Sequence, residues 1–283
     1  MGGPLRLTLL GSGSSGNVAF VEAGATRLLV DAGLPKEEIV ARLARVPAPD
    51  GPLTLAHVTA VLVTHDHADH AGCAPALGRP VFATEGTRQA CGWDSTARVL
   101  AGIRFTVGEI AVHPVLLPHD AVETVGYVLE GGGARVGILT DCGHDAPEVA
   151  QAYAGCDVLV LEANHDVTLL KHGSYPPSLK RRVGGRLGHL SNDQAAALLR
   201  AMCLAGKPPR LVIAAHISQA NNRPLLAKRA LDRVLGRAGR VIVATQARGT
   251  PVIVVENGRV TVEPGLNEQL AFNFAARAGE ELQ

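Results

Sequence analysis

The stretch Thr64-His65-Asp66-His67-Ala68-Asp69-His70 decides the fold, and the apolar run Ala60-Val61-Leu62-Val63 stands directly before it. The apolar run predicts a buried strand, because it is short and continuous. Three histidines and two aspartates therefore crowd into the loop that follows a strand end. Loops at strand ends are where α/β proteins place their chemistry, so this loop is the first candidate for a functional site.

The spacing within this loop favours metal binding over a solvated polar turn. His65 and His67 lie two residues apart, so an extended backbone can aim both rings at one point. Asp69 and His70 come after the chain has begun to turn, and they can face a second point nearby. Imidazole together with carboxylate is a ligand set for Zn, Mn or Fe rather than for Ca.

The composition describes a chain with a sizeable core and no global charge. The 283 residues are 47% hydrophobic but only 3% aromatic, which predicts a core of Leu, Val, Ala and Ile. The formal net charge of +1 excludes a global basic field that would attract nucleic acid or a membrane surface. Any site for a polyanion must therefore be a local basic patch.

The cysteines and the first residues indicate a reducing compartment. The chain has five Cys and no C-x-x-C pair, which fits free thiols in a cytosol better than a disulfide framework. The first residues lack the pattern of a secretory signal, and no segment approaches the roughly 18 apolar residues of a membrane helix. We expect a soluble cytoplasmic protein with no membrane partner.

A regularity runs along the chain, because several predicted strands are followed at once by an acidic residue or a His. Strands that deliver such side chains to one edge build a metal site in a sheet sandwich. We therefore expect a single domain of α/β (α+β) class over residues 1–265 and a loosely held tail over 266–283. The residues that follow these strands are Asp31, His65, His119, Asp141, Glu162 and His216.

Two further segments carry candidate substrate contacts. The loop 12–17 consists of small residues whose N–H groups and hydroxyls suit a phosphate, or simply a tight turn. The segment 167–190 is predicted to be irregular because of its Gly and Pro residues. Its basic run either contacts a nucleic-acid backbone or is a solvated loop, and Tyr175 before it can stack on a terminal base. The run comprises Lys180, Arg181, Arg182 and Arg186.

The pattern H-x-H-x-D-H, followed by a distant His, a T-D pair and another His, resembles the metallo-β-lactamase fold superfamily. The resemblance extends to about Leu235. Finer motifs are similar to the YycJ/WalJ group, which is associated with phosphodiesterase and 5′-to-3′ DNA exonuclease activity. The resemblance implies a four-layer αββα sandwich that holds two divalent metal ions. The finer motifs occupy residues 12–17, 118–121, 162–166, 188–192 and 216–222.

Carried over residue by residue, the resemblance implies a role for each ligand. Two ions about 3.5–4 Å apart can share a hydroxide that attacks phosphorus, so Asp69 and Asp141 also count as catalytic. Asp31 would stand behind the ligands and orient a His through a hydrogen bond. The resemblance gives the first metal to His65, His67 and His119, the second to Asp69, His70 and His216, and the bridge to Asp141.

His189 is the expected proton donor to the leaving group, because it stands between the basic run and a helix start. It also resembles a His that related phosphodiesterases place beside the metals. His165 is expected to shape the pocket rather than to catalyse. The candidates for gripping the substrate are Ser14, Ser15, Lys180, Arg181, Arg182, Ser218, Asn221 and Asn222.

These residues predict a two-metal phosphodiesterase, and the resemblance narrows the prediction to a 5′-to-3′ exonuclease acting on DNA rather than RNA. The alternatives are a small-molecule phosphodiesterase, an acyl hydrolase for lactones or thioesters, and a non-catalytic metal-binding module. Ligands that include several carboxylates favour an open catalytic pair over a closed structural site. They suit Zn²⁺ and Mn²⁺ alike, and they leave the oligomeric state open.

Overall fold

Residues 3–94, 96–247 and 249–263 are described by the structure, a computed structural model of the chain. Their strands form two sheets, one of eight strands and one of seven. The predicted tail 266–283 lies outside the described residues. In spatial order, the eight-stranded sheet comprises β15 (Arg259–Glu263), β14 (Val252–Glu256), β1 (Leu5–Gly11), β2 (Val18–Ala23), β3 (Thr26–Val30), β4 (Ala60–Leu62), β5 (Val81–Thr84) and β6 (Ala97–Val99).

The second sheet mixes parallel and antiparallel pairs. Its strands β10 to β13 run parallel to one another, and β7 to β10 pair as antiparallel neighbours. In spatial order, it comprises β13 (Arg240–Val243), β12 (Leu211–Ala215), β11 (Val158–Glu162), β10 (Ala134–Leu139), β9 (Val125–Gly131), β8 (Ile110–Leu116) and β7 (Phe105–Val107).

The helices complete the four-layer αββα arrangement. Helix α1 packs its buried Ile39 and Leu43 on the outer face of the first sheet, and α4, α7 and α8 cover the outer face of the second. No helix in the described ranges is long and apolar enough to cross a membrane. The helices are α1 (Lys36–Leu43), α2 (Ala68–Ala71), α3 (Glu85–Cys91), α4 (Pro147–Tyr153), α5 (Val167–His172), α6 (Pro177–Val183), α7 (Asn192–Ala205) and α8 (Pro224–Leu235).

The central strands are apolar on both faces because each separates two cores. In β11, Val158 and Val160 face the core between the sheets, whereas Leu159 and Leu161 pack under the helices. Successive side chains of a strand point to opposite faces, so a continuous apolar run fills both cores at once. The composition agrees with this, because Leu, Val, Ala and Ile supply most of the buried side chains.

Parallel pairing gathers the strand ends at one edge of the sandwich. Strand β3 is parallel to β4, and β10, β11 and β12 run side by side in the same direction. Three residues just past these ends adopt the left-handed conformation, namely Asp31 (φ 65°), Asp141 (φ 60°) and His216 (φ 51°). Residues other than glycine rarely adopt it, and such strain clusters at functional sites.

One prediction of secondary structure was wrong. The segment 167–190 was expected to be irregular, but it contains the helices α5 and α6. Asp166 caps α5 by accepting a hydrogen bond from the Leu169 N–H at 2.9 Å. Pro177 occupies the first position of α6, where its fixed φ suits a helix and its missing N–H costs nothing. The prolines therefore start a helix here rather than prevent one.

Candidate metal centre

The first group of possible metal ligands consists of His65, His67 and His119. Their ligand nitrogens all lie within 4.8 Å of one another. His67 Nδ1 is 3.3 Å from His119 Nε2, and the ring centroids of His65 and His67 are 4.7 Å apart. The Gly188 carbonyl, 2.9 Å from His119 Nδ1, fixes that ring so that Nε2 points into the group. Three imidazoles in this arrangement suit one divalent cation.

A second group lies beside the first and consists of Asp69, His70 and His216. Asp69 Oδ2 is 3.5 Å from His216 Nε2 and 3.6 Å from His70 Nε2. Asp31 Oδ2 contacts His70 Nδ1 at 2.7 Å, and its Oδ1 accepts the Thr64 N–H at 2.8 Å. Asp31 therefore orients the ring of His70 and ties it to the start of the His-rich loop.

Asp141 stands between the two groups. Its Oδ2 lies 2.9 Å from His70 Nε2, and its Oδ1 lies 3.7 Å from His119 Nε2 and 3.4 Å from His216 Nδ1. Burial opposes ionisation, but His216 and His70 hold the pKa of Asp141 well below its usual range. A buried carboxylate that reaches both groups is placed to join two cations.

Unpartnered buried atoms show that these groups fit metal ions. Within the described ranges, two buried nitrogens of the groups find no hydrogen-bond partner, namely His65 Nε2 and His216 Nε2. Leaving such atoms unpaired is costly unless something else binds them. Burial lowers the pKa of His65 well below its usual value, so this ring is a neutral donor. The nitrogen and carboxylate donors of the groups suit a pair of divalent transition-metal ions.

Glu162 was assigned no role from the sequence, yet it organises the open side of the centre. Its Oε1 accepts from His189 Nδ1 at 2.8 Å and from His216 Nδ1 at 2.9 Å. Its Oε2 accepts the backbone N–H groups of Cys142 at 3.0 Å and Leu190 at 3.1 Å. Burial would raise the pKa of Glu162, but the two histidines bring it to about 2. Its position directly after an apolar strand was the available signal.

His189 lies at the mouth of the centre. Its side chain is 19% exposed, and its Nδ1 is also 3.3 Å from Asp141 Oδ1. Its ring centroid is 5.1 Å from that of His119 and 5.2 Å from that of His216. His165 is different, because it is 3% exposed and belongs to none of the ligand groups found among the described residues. Burial lowers the pKa of His165 to about 4, so this ring is neutral.

The small-residue loop 12–17 supports the second ligand group. Ser12 Oγ accepts the His216 N–H at 2.8 Å, and Asn17 Nδ2 lies 3.0 Å from His70 Nε2. Ser14 and Ser15 are exposed, and the Ser15 N–H donates to Gln246 Oε1 at 3.0 Å. The sequence missed Ser12 and Asn17, whose contacts depend on the distant ends of β4 and β12.

Asn222 was expected to grip the substrate, but its amide is buried and hydrogen-bonded within the protein. It is 2% exposed, and its Nδ2 donates to the Ala163 carbonyl at 2.8 Å and to Asn192 Oδ1 at 2.9 Å. Its Oδ1 accepts the Arg223 N–H at 2.8 Å. The amide therefore joins three loops and has no polar atom left for a ligand.

Ser218 and Asn221 form a buried turn beside it. Ser218 is 6% exposed and Asn221 is fully buried. Ser218 Oγ accepts the Asn221 N–H at 3.1 Å. The expected substrate contact is therefore absent for the Asn221 side chain, because no part of it reaches the surface.

The side chains of the basic run point to different places in the structure. Arg182 reaches the centre, because its guanidinium pairs with Asp120, whose Oδ1 lies 3.3 Å from His119 Nε2. Lys180 turns away and donates from Nζ to the Lys171 carbonyl at 3.0 Å. Arg181 is exposed on α6. Arg182 is thus the one member of the run that the described contacts bring beside a metal-ligand residue.

Comparisons with known proteins agree with this geometry. The family model described as "Beta-lactamase superfamily domain" matches residues 26–217. Exodeoxyribonuclease YycJ of Bacillus anthracis is 32% identical over 251 residues, which cover 83% of this chain and 90% of that protein. Exodeoxyribonuclease WalJ of Streptococcus pneumoniae is 33% identical over 247 residues, which cover 82% and 89%.

A solved structure has the same fold. The metallo-β-lactamase fold protein YhfI of Bacillus subtilis superimposes with a TM-score of 0.66 at 14% identity. The superposition covers 86% of this chain and 98% of YhfI. The predicted αββα sandwich is therefore confirmed.

Proposed function

The chain belongs to the metallo-β-lactamase fold superfamily, and we propose that it is a metal-dependent phosphodiesterase that degrades DNA from the 5′ end. The similarity to proteins named exodeoxyribonucleases extends over more than four-fifths of the chain, as the 83% coverage by YycJ illustrates. The observation that carries the proposal is the pair of neighbouring ligand groups, with the carboxylate of Asp141 2.9 Å from His70 in one group and 3.7 Å from His119 in the other.

We assign the ligands as follows. His65, His67 and His119 hold one ion, and Asp69, His70 and His216 hold the other, while Asp141 serves both. When bound, two divalent ions would lower the pKa of a water molecule and neutralise charge on the phosphoryl group in the transition state. The donors contain no thiolate, because Cys142 Sγ donates to the His144 carbonyl at 3.1 Å. Manganese and zinc both suit such a set.

His189 is proposed as the proton donor. Its Nδ1 is committed to Glu162, which leaves Nε2 to carry the proton that the leaving oxygen needs. Burial opposes the charge on this ring, but Glu162 raises the pKa of His189 above its usual value, which favours the protonated ring. Glu162 thus holds His189 in both the orientation and the charge state of a general acid.

Arg182 is the proposed contact for the DNA backbone. Its partner Asp120 lies directly after His119, so a phosphate that approaches the first ligand group passes close to the guanidinium. Arginine binds phosphate through two parallel hydrogen bonds, and a phosphate oxygen can replace an exposed carboxylate as the acceptor. On substrate binding, the Arg182 guanidinium therefore leaves the Asp120 carboxylate and pairs with a phosphate of the DNA.

A small phosphodiester is the second candidate substrate. It is favoured by the observation that Lys180 turns onto the Lys171 carbonyl instead of facing the centre. With fewer free cationic side chains at its mouth, the site would gain less affinity from the many phosphates of a long polyanion, so a small phosphodiester would suffice as substrate.

A substrate panel tests the proposal against this alternative. The purified protein, with its metal content measured, is given 5′-phosphorylated duplex DNA, RNA, bis-p-nitrophenyl phosphate, a cyclic phosphodiester and a β-lactam. Stepwise shortening of DNA from the 5′ end supports the exonuclease. Turnover of the small esters alone contradicts it and favours the second candidate, and turnover of the β-lactam alone contradicts both.

A further inference from the structure

An arginine-lined cleft lies at the edge of the sandwich opposite the metal centre. It encloses about 470 Å³ and takes its walls from both sheets. Arg210 precedes β12 and Arg240 begins β13, at the strand ends farthest from His216. Arg237 comes from the loop after α8, and Arg259 follows the tight turn between β14 and β15.

Local sequence fixes this arrangement. Asn257 and Gly258 both have positive φ, at 49° and 74°, which is the conformation of a two-residue hairpin turn that matches the twist of its strands. The turn sets Arg259 at the start of β15. The Arg240 N–H donates to the Arg210 carbonyl at 3.0 Å, so these two residues are neighbours across the edge of the second sheet.

Three arginines of the cleft have no acidic partner among the residues that the structure describes. No Asp or Glu of the described residues lines it, and Arg210, Arg237 and Arg259 are exposed and form no ion pair with any residue that the structure describes. The nearby Asp157 is already used, because its carboxylate accepts from Lys207 Nζ at 2.7 Å and from the Arg135 N–H at 2.9 Å. In a chain of net charge +1, such a cluster is a local basic patch.

We propose that this cleft is a second contact for the phosphate backbone of the nucleic-acid substrate, remote from the metal centre. The proposal rests on the proposed function for the identity of the substrate. Guanidinium groups bind phosphate oxygens in bidentate fashion, and no aromatic ring lines the described cleft on which a base could stack. The cleft therefore binds the phosphate backbone without contacting bases, so its contribution to affinity does not depend on the DNA sequence.

The geometry sets a minimum length for substrates that use the cleft. Arg210 and His216 are six residues apart along one strand, which corresponds to roughly 20 Å between the cleft and the centre. Duplex DNA advances 3.4 Å per base pair, so a duplex needs at least about six base pairs to span that distance. Shorter substrates gain nothing from the cleft.

The test measures binding separately from hydrolysis. Fluorescence anisotropy of the metal-loaded protein is recorded with duplexes of about 4 and about 24 base pairs. Each duplex is closed at one end by a hairpin loop and carries a 5′ phosphate and hydrolysis-resistant phosphorothioate linkages at the other, so that the end can enter the metal centre without being digested. The variant is Arg210→Gln/Arg237→Gln/Arg259→Gln. The charge-matched control replaces exposed arginines elsewhere, as Arg45→Gln/Arg200→Gln/Arg229→Gln. Arg210→Lys/Arg237→Lys/Arg259→Lys keeps the charge and tests whether charge alone restores binding.

The cleft variant should bind the long duplex about tenfold more weakly than the wild type does. The slope of log K against log salt concentration should fall by roughly 2 to 3, since each phosphate contact contributes about 0.9. The short duplex should be unaffected, the control should behave like the wild type, and the lysine variant should recover most of the affinity. Unchanged binding of the long duplex, or equal weakening of both lengths, would overturn the proposal. Hydrolysis of open duplex is assayed separately, so a failure of the exonuclease assignment shows there and not in the anisotropy.

Discussion

Glu162 Oε1 accepts a hydrogen bond from His189 Nδ1 at 2.8 Å, and the same oxygen accepts from His216 Nδ1 at 2.9 Å. One buried carboxylate oxygen therefore orients both the proposed proton donor and a proposed metal ligand. Partners that stand behind metal ligands fix the tautomer and the direction of the ring. Glu162 therefore positions both His189, at the mouth of the centre, and the buried His216.

We expect Glu162→Gln to reduce kcat by about 10- to 100-fold, because a neutral amide no longer favours the charged ring of His189 and its NH2 group cannot accept the backbone N–H groups of Cys142 and Leu190. The measurement is steady-state hydrolysis of 5′-phosphorylated duplex DNA together with metal content. Glu22→Gln is the matched control, since Glu22 is also buried but pairs with Arg6 and Arg27 far from the centre. An activity loss in Glu22→Gln as large as that in Glu162→Gln would show that the effect is one of folding.

His189→Ala should keep both metals and lose turnover, because the ring donates a proton and does not hold an ion. Loss of general acid catalysis costs about 10² to 10⁴ in rate. The loss should be smaller for a substrate with an acidic leaving group such as p-nitrophenol, which departs without a proton. The control is His144→Ala, whose Nδ1 contacts only the Arg186 carbonyl at 2.9 Å among the hydrogen bonds described. Loss of a metal from His189→Ala would assign His189 to the ligands instead.

Arg182→Gln should raise KM for DNA and leave bis-p-nitrophenyl phosphate unchanged, because Arg182 meets the backbone and not the reacting ester. One phosphate contact corresponds to a change of about 0.9 in the salt slope of binding. Lys180→Gln is the control from the same helix, and it should behave like the wild type because Nζ is held by the Lys171 carbonyl. Equal effects of the two substitutions would point to general electrostatic attraction.

Metal loading should release protons. Burial disfavours the charged ring of His216, but Asp141, Asp69 and Glu162 raise its pKa to about 10, and Asp141 with Asp31 likewise raises the pKa of His70 well above its usual value. The raised pKa values favour the protonated form of both rings in the metal-free protein, and a protonated ring must lose a proton to bind a cation.

Titration calorimetry in buffers of different ionisation enthalpy should therefore report about two protons released per chain near neutral pH. Since the folded pKa of His216 exceeds the unfolded value, its proton stabilises the metal-free protein below about pH 6.5, and this stability is lost as the pH rises through about 10. Metal affinity should rise over the same range. Loading without proton release would contradict the assignment of these two ligands.

The sequence predicted the strand-end residues but not all of their contacts. His65 and His119 could be found because a polar residue directly after an apolar run has few structural explanations. The role of Glu162 depends on register, since β11 sets it opposite Ala215, one residue before His216, and parallel register cannot be read from composition. The burial of Asn222 was not predicted, because an asparagine in a loop looks the same in a sequence whether its amide faces solvent or joins three loops.

The central claim is that His65, His67 and His119 hold one cation, that Asp69, His70 and His216 hold a second, and that Asp141 joins them. The direct measurement is a crystal structure of the metal-loaded protein with anomalous scattering recorded at the Mn and Zn edges. This ligand assignment predicts two anomalous peaks about 3.5–4 Å apart, each of which has a carboxylate oxygen of Asp141 within bonding distance. A single peak, or two peaks of which neither is bound by Asp141, would contradict it.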